Sequence, residues 1–177
     1  MWKSSSERYG RVAIAIHWTS ALLIIGLMIA GFRAAAIADS AAKAAILQIH
    51  VPIGVAVLVL TLARVGWWLF ADRKPDDPAG VPHLQSLAAK AVHVLLYAAI
   101  FGLAGSGIAM MILSGAGDIL FGTAAGPLPD FWEFTPRYGH AVLARLLAGL
   151  LILHVGAALY HQFIRKDRLF ARMGVGR

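Results

Sequence analysis

YGHAVLARLLAGLLILHVGAALYH, residues Tyr138–His161, sets three histidines in a run that is otherwise almost wholly apolar. The run is longer than the about 20 residues an α-helix needs to cross about 30 Å of hydrocarbon. His140 and His154 are 14 positions apart. At about 1.5 Å and about 100° per residue, that puts them about 21 Å apart and nearly on one helical face. Ionisable side chains inside a membrane helix are costly and mark functional sites. Two imidazoles on one face, one toward each end of the span, therefore predict two chemical layers at different depths.

Working outward, three further apolar runs precede this one: Val12–Phe32, Ala44–Ala63 and Ala91–Leu113. Allowing for their ends, we expect spans over about 10–33, 44–70, 86–113 and 138–164 of a single membrane-embedded domain, residues 1–177. The links are short, which predicts an all-α membrane protein with four transmembrane helices in an up-down bundle. Composition agrees. Of 177 residues, 59% are hydrophobic and 14% charged, against about a quarter charged in soluble domains.

The net charge of +7 does not point to nucleic acid, because the basic residues gather where topology signals belong. Lys3, Arg8 and Arg11 precede the first span. Arg73, Lys74 and Lys90 lie between the second and third, and Arg165, Lys166, Arg168, Arg172 and Arg177 follow the fourth. The opposite side has Arg33, Lys43 and Arg137 against Asp39, Asp118, Asp130 and Glu133. This places both termini in the cytoplasm of a multi-pass inner-membrane protein. The first span is longer than a signal-peptide core and holds His17, so it is expected to remain uncleaved. In the connection Ser114–Arg137, a short amphipathic segment lying on the bundle is expected, a lid over a cofactor edge being the alternative. Pro75, Asp76, Asp77 and Pro78 read as a solvated turn.

With topology set, each histidine has a depth. His50 and His140 lie toward the outer face, whereas His17, His93 and His154 lie toward the cytoplasm. The outer layer offers two ligands and the inner layer three candidates for two places. Neither offers the three or four ligands that zinc or copper takes. Imidazole pairs suit low-spin haem iron. The chain has no cysteine, which excludes covalent haem attachment through CxxCH, so two noncovalent b-type haems are expected. Gly54, one turn after His50, makes room for a porphyrin or simply packs against a helix. Arg145 lies between the layers, where it pairs with a haem propionate, the one strong anion expected there, or turns inward to bond carbonyls or water. Arg64 is expected to snorkel to the headgroups. His161 lies at the cytoplasmic edge, as an interfacial residue or as a donor to a quinone. His83 reads as an exposed loop residue.

At these residues the chain resembles the bacterial cytochrome b561 family. The matching pieces are Ala15-Ile16-His17-Trp18, Ile49-His50-Val51 through Gly54 to Leu62-Ala63-Arg64, Val92-His93-Val94-Leu95-Leu96-Tyr97, His140 with His154, and the tail from Leu159-Tyr160-His161 to Arg172-Met173. The resemblance implies that His50 and His140 ligate an outer haem and His17 and His154 an inner one. His93 then becomes a non-ligand near a haem edge or quinone. The family's stand-alone members include a superoxide oxidase that reduces ubiquinone.

The leading expectation is thus an oxidoreductase that takes electrons from superoxide on the periplasmic side and passes them through two haems to ubiquinone. The alternative is a cytochrome b subunit relaying electrons between a separate dehydrogenase or periplasmic redox protein and the quinone pool. A small transporter using histidines as proton sites is the third class.

Overall fold

The computed structural model describes residues 1–77, 80–122 and 124–176. Pro78 of the expected solvated turn and Arg177 of the basic tail lie outside the described residues. Four long helices form the frame: α1 (Arg11–Ala36), α2 (Ser40–Gly66), α3 (His83–Leu113) and, beyond the short α4 (Ala116–Phe121), α5 (Thr135–Leu159). With their extensions, all four are long and apolar enough to cross a membrane. Among the described residues there is no strand. A last turn, α6 (Leu169–Arg172), ends the chain.

Local chemistry sets the helix ends. The Asp39 carboxylate accepts from the Ala42 amide at 2.7 Å, an N-cap that starts α2 at Ser40 rather than at 44. Only three residues then separate α1 from α2, which forces them antiparallel. Pro136 sits in the first turn of α5, where its missing N–H costs nothing. Pro82 precedes α3, so His83 is its first residue, exposed on the helix rather than in a loop. Both α2 and α5 finish as π-turns, Trp67–Ala71 and Tyr160–Arg165.

α1 packs chiefly on α2 and α3 on α5, the two pairs meeting along α2 and α3. The central core takes one or more residues from each long helix: Ile24, Val57, Ala99, Leu147 and Leu150. Large apolar side chains cover the outside of the bundle. Leu22, Ile25 and Ile29 on α1 and Val142 and Ile152 on α5 are all more than half exposed. In water such a surface would aggregate; in hydrocarbon it is the proper solvent face.

The two ends of the bundle differ. At the end away from the termini, called distal below, the third connection folds over the helices. Gly115, in the left-handed region at φ 68°, turns the chain from α3 into α4. Ala116 and Leu120 pack with Met110 and Met111, and Leu128 and Phe131 close over them. Gln48 donates to the Leu120 carbonyl at 3.1 Å and the Leu128 amide to Ser40 Oγ at 3.3 Å. Leu128, Asp130 and Trp132 also line the cavity beneath. The segment is therefore a roof over that cavity and not merely an amphipathic piece lying on the bundle.

At the proximal end, which carries both termini, three segments are tied together. The Ser4 amide and hydroxyl both donate to the Asp72 carboxylate, joined by the Trp67 indole at 3.1 Å. Arg172 donates to the Glu7 carbonyl at 2.8 Å and to the Asp76 carbonyl at 2.5 Å. Gly10 must be glycine, because a Cβ there would lie 2.3 Å from the Trp2 carbonyl oxygen. Asp77 bonds the Ser86 hydroxyl and lies 3.3 Å from the Lys90 ammonium. The expected solvated turn is thus the hub of a polar knot.

Partial desolvation raises the Asp72 carboxyl, but the hydrogen bonds from Ser4, Arg73 and Trp67 outweigh it and hold it below the usual carboxylate range. Its stabilisation is therefore present above the ordinary carboxylate pKa and is lost as pH falls through the depressed one. Asp72→Ala is expected to free residues 1–10 and to cost about 1 kcal/mol once solvent screening is allowed for. Faster tryptic cleavage at Lys3 and Arg8 would report this, and an unchanged cleavage pattern would refute it.

Candidate functional site

Five histidines cluster in two groups, His93 exposed and the other four half-buried. Distally, His50 on α2 and His140 on α5 have ring centroids 6.4 Å apart, with planes at 65°. Proximally, His17 on α1 and His154 on α5 have centroids 6.4 Å apart, at 67°. His93 on α3 joins the second group, 5.1 Å from His154. Leu147, 3% exposed in the central core, lies seven residues from each histidine of α5, so apolar side chains lie between the groups.

The spacing has chemical meaning. Two imidazoles bound to opposite sides of one metal, each through a bond of about 2 Å, have ring centres about 6.3 Å apart. Both 6.4 Å pairs fit that distance, whereas His93 and His154 are too close to lie on opposite sides of one ion. Among the described residues no group of three or more His, Cys, Asp or Glu could hold a bare metal ion. A haem brings four nitrogens of its own and would need only two histidines, the number each pair offers.

Glycines make room for these rings. A Cβ at Gly31 would stand 3.1 Å from His50 Cε1, and one at Gly107 would stand 3.4 Å from His140 Cε1. Next to Gly107, the Ser106 hydroxyl lies 3.1 Å from His140 Nδ1. The sequence reading did not single out Gly31, Ser106 or Gly107. A glycine or serine on an apolar helix carries no mark of its partner, and only their opposition to histidines on neighbouring helices reveals them.

Between His50 and His140 opens a cavity of about 460 Å³, within the range of cofactor sites. Gly54 lines it, and a Cβ there would meet nothing within 4 Å, so the residue borders open space rather than a packed helix. Arg145 lines the same cavity and donates to the Ala141 carbonyl at 2.9 Å. Lys43 and Arg137 line it too, the Arg137 guanidinium lying 4.3 Å from the centre of the Trp132 ring. This is within cation–π range. Arg33 is elsewhere, on a groove between α1 and α2.

The proximal group holds two surprises. Arg64 does not reach for the headgroups: its guanidinium turns inward and lies 3.0 Å from His17 Nδ1. An arginine can only donate, so in a neutral His17 this contact places the ring proton on Nε2. Ligation through Nε2 requires the Arg64 contact to be remade. His93 instead donates Nδ1–H to the Ala89 carbonyl at 2.7 Å, which keeps its Nε2 unprotonated. His161 is buried rather than interfacial, at 8% exposed. Its Nδ1 bonds the Asp167 carboxylate and its Nε2 lies 2.7 Å from the Gln85 amide nitrogen.

The chain matches the prokaryotic cytochrome b561 family over residues 8–176. It is 29% identical over 180 residues to "Cytochrome b561 homolog 2" of Escherichia coli (strain K12), covering 96% of this chain and 93% of the relative. It is 29% identical over 175 residues to "Probable superoxide oxidase CybB" of Yersinia pestis, covering 94% and 96%. Identity to "Cytochrome b562" of Cereibacter sphaeroides is 30% over 172 residues, covering 93% and 94%. With its helical bundle and paired intramembrane histidines, the chain belongs to the prokaryotic cytochrome b561 family of haem b membrane electron-transfer proteins.

Proposed function

We propose that this protein holds two b haems, oxidises superoxide to oxygen at its distal face and reduces ubiquinone with the electrons. The observation that carries the reading is the recurrence of the 6.4 Å histidine pair at both depths. His50 and His140 would be the axial ligands of the distal haem, and His17 and His154 those of the proximal one. Haem with both axial positions filled by imidazole supplies one-electron transfer without an open site for binding oxygen. The balanced reaction takes two superoxide anions, one quinone and two protons to two oxygen molecules and one quinol.

The chain's own residues support each half. Charge bias near the span ends puts the proximal end in the cytoplasm of the inner membrane and the distal end in the periplasm. Lys43, Arg137 and Arg145 bring three cations to one cavity, although the outer connections as a whole are slightly acidic. A local cluster of this kind attracts a small anion whatever the charge of the whole face. Arg145, beside the distal pair, is suited to the anionic edge of a haem. At the cytoplasmic end, the Asp167 carboxylate holds a proton at His161 Nδ1 and turns Nε2 toward Gln85. A quinol hydroxyl taking the place of Gln85 would meet Nε2 as its acceptor, and a quinone oxygen would find a donor there only on the doubly protonated ring. His93 would stay a non-ligand at the edge of the proximal site. The Yersinia pestis relative's printed name, probable superoxide oxidase, supports the same chemistry.

Alanine at His17, His50, His140 or His154 is expected to remove one haem each, and His93→Ala to keep both, as read by the pyridine haemochrome spectrum per mole of protein. A haem lost on changing His93 but kept on changing His17 would overturn the proximal assignment. Superoxide mixed with the oxidised protein in stopped flow is expected to reduce the haem, and ubiquinone to reoxidise it. Haem that dithionite reduces and superoxide does not would make the protein a relay for a separate redox partner. Lys43→Gln with Arg137→Gln is expected to slow reduction by superoxide several-fold at low salt, the difference shrinking as salt screens it. Equal rates at every ionic strength would remove the steering role.

A further inference from the structure

The two distal histidines are held in unequal ways. His140 has a built hydrogen-bond partner. Ser106, on the facing helix α3, lies 2.6 Å from the Gly102 carbonyl and 3.1 Å from the Leu103 carbonyl. A hydroxyl has one proton to give, and the 2.6 Å contact takes it. Its lone pairs then face His140 Nδ1 at 3.1 Å, where the favourable partner is an N–H. The neighbouring residue completes the seat, since a Cβ on Gly107 would touch the ring at Cε1. His50 has the steric half of such a seat, from Gly31, but among the described residues no side chain bonds its buried Nδ1, which has only the Leu27 carbonyl nearby, outside ordinary hydrogen-bond geometry.

From this asymmetry we infer that Ser106 is a positioning residue for the distal haem. It fixes His140 with its proton on Nδ1 and its Nε2 lone pair toward the cavity, and sets the donor strength of that one axial ligand. The inference rests on the reading of His140 as a haem ligand. An acceptor at Nδ1–H fixes the ring's tautomer and orientation and makes the imidazole a more basic ligand. A more basic ligand stabilises the oxidised iron. Losing the acceptor therefore raises the midpoint potential of the distal haem and leaves the proximal haem, about 21 Å away along α5, unchanged. Among the described residues no side chain bonds the His50 ring, so the change is confined to the His140 side of the pair.

The test is a redox titration of the purified holoprotein with low-spin electron paramagnetic resonance, on wild type, Ser106→Ala, Ser106→Thr and His140→Ala. His140→Ala identifies the distal component as the signal it loses. If that variant keeps both haems, the ligand reading itself fails, and this is distinguishable from failure of the Ser106 role. Given that control, Ser106→Ala is expected to keep both haems, raise the distal potential and shift the distal g-values, with Ser106→Thr restoring both. Unchanged potential and g-values in Ser106→Ala would overturn the inference. Should Ser106→Ala lose the distal haem altogether, its return with wild-type potential in Ser106→Thr supports the role. Its failure to return there overturns it.

Discussion

An imidazole inside hydrocarbon is costly, because unpaired polar groups there cost several kcal/mol, and the opposition of such rings in pairs organises the bundle. α5 supplies one ring to each layer. α1 and α2 supply the opposing rings, His17 and His50. The helices cannot slide or rotate freely without separating one of these pairs. The small residues fit the same pairing. Gly31 and Gly107 sit where a side chain would push a ring out of place, and Ser106 supplies a polar contact where the ring edge would otherwise meet only carbon.

Much of this was legible in the sequence because it rests on length and depth. Four runs of about 20 apolar residues give the bundle, and the position of each histidine within its run gives its layer. Direction was harder to read than depth. Arg64 near a span end looks like any snorkelling arginine, yet it points at His17, because a buried acceptor competes with the headgroups for its N–H. His161 looks interfacial by position. Its burial depends on Asp167, reached only because Lys166 and Arg168 take left-handed backbone conformations at φ 58° and 55°. Composition does not signal that turn. The Pro75–Asp77 stretch is solvent-facing as its composition reads, but composition does not show that Arg172, distant in sequence, bonds the Asp76 carbonyl. In each case the missing information is the identity of a partner on another segment.

The layer between the histidine pairs has its own consequence. Ile24, Val57, Ala99, Leu147 and Leu150 fill it, and none can carry or exchange a proton. An electron can tunnel across such a layer, while these five side chains offer a proton no titratable group. A reaction that joins the two ends must therefore divide its parts. The distal cavity, with Lys43, Arg137 and Arg145, suits chemistry that attracts an anion and needs no proton, and the oxidation of superoxide is of that kind. The proximal end, with His161, Asp167 and the polar knot of the termini, suits chemistry that consumes protons, as quinone reduction does. In the proposed reaction the apolar core would thus do more than hold the helices together: it would separate electron transfer at one end of the bundle from proton uptake at the other.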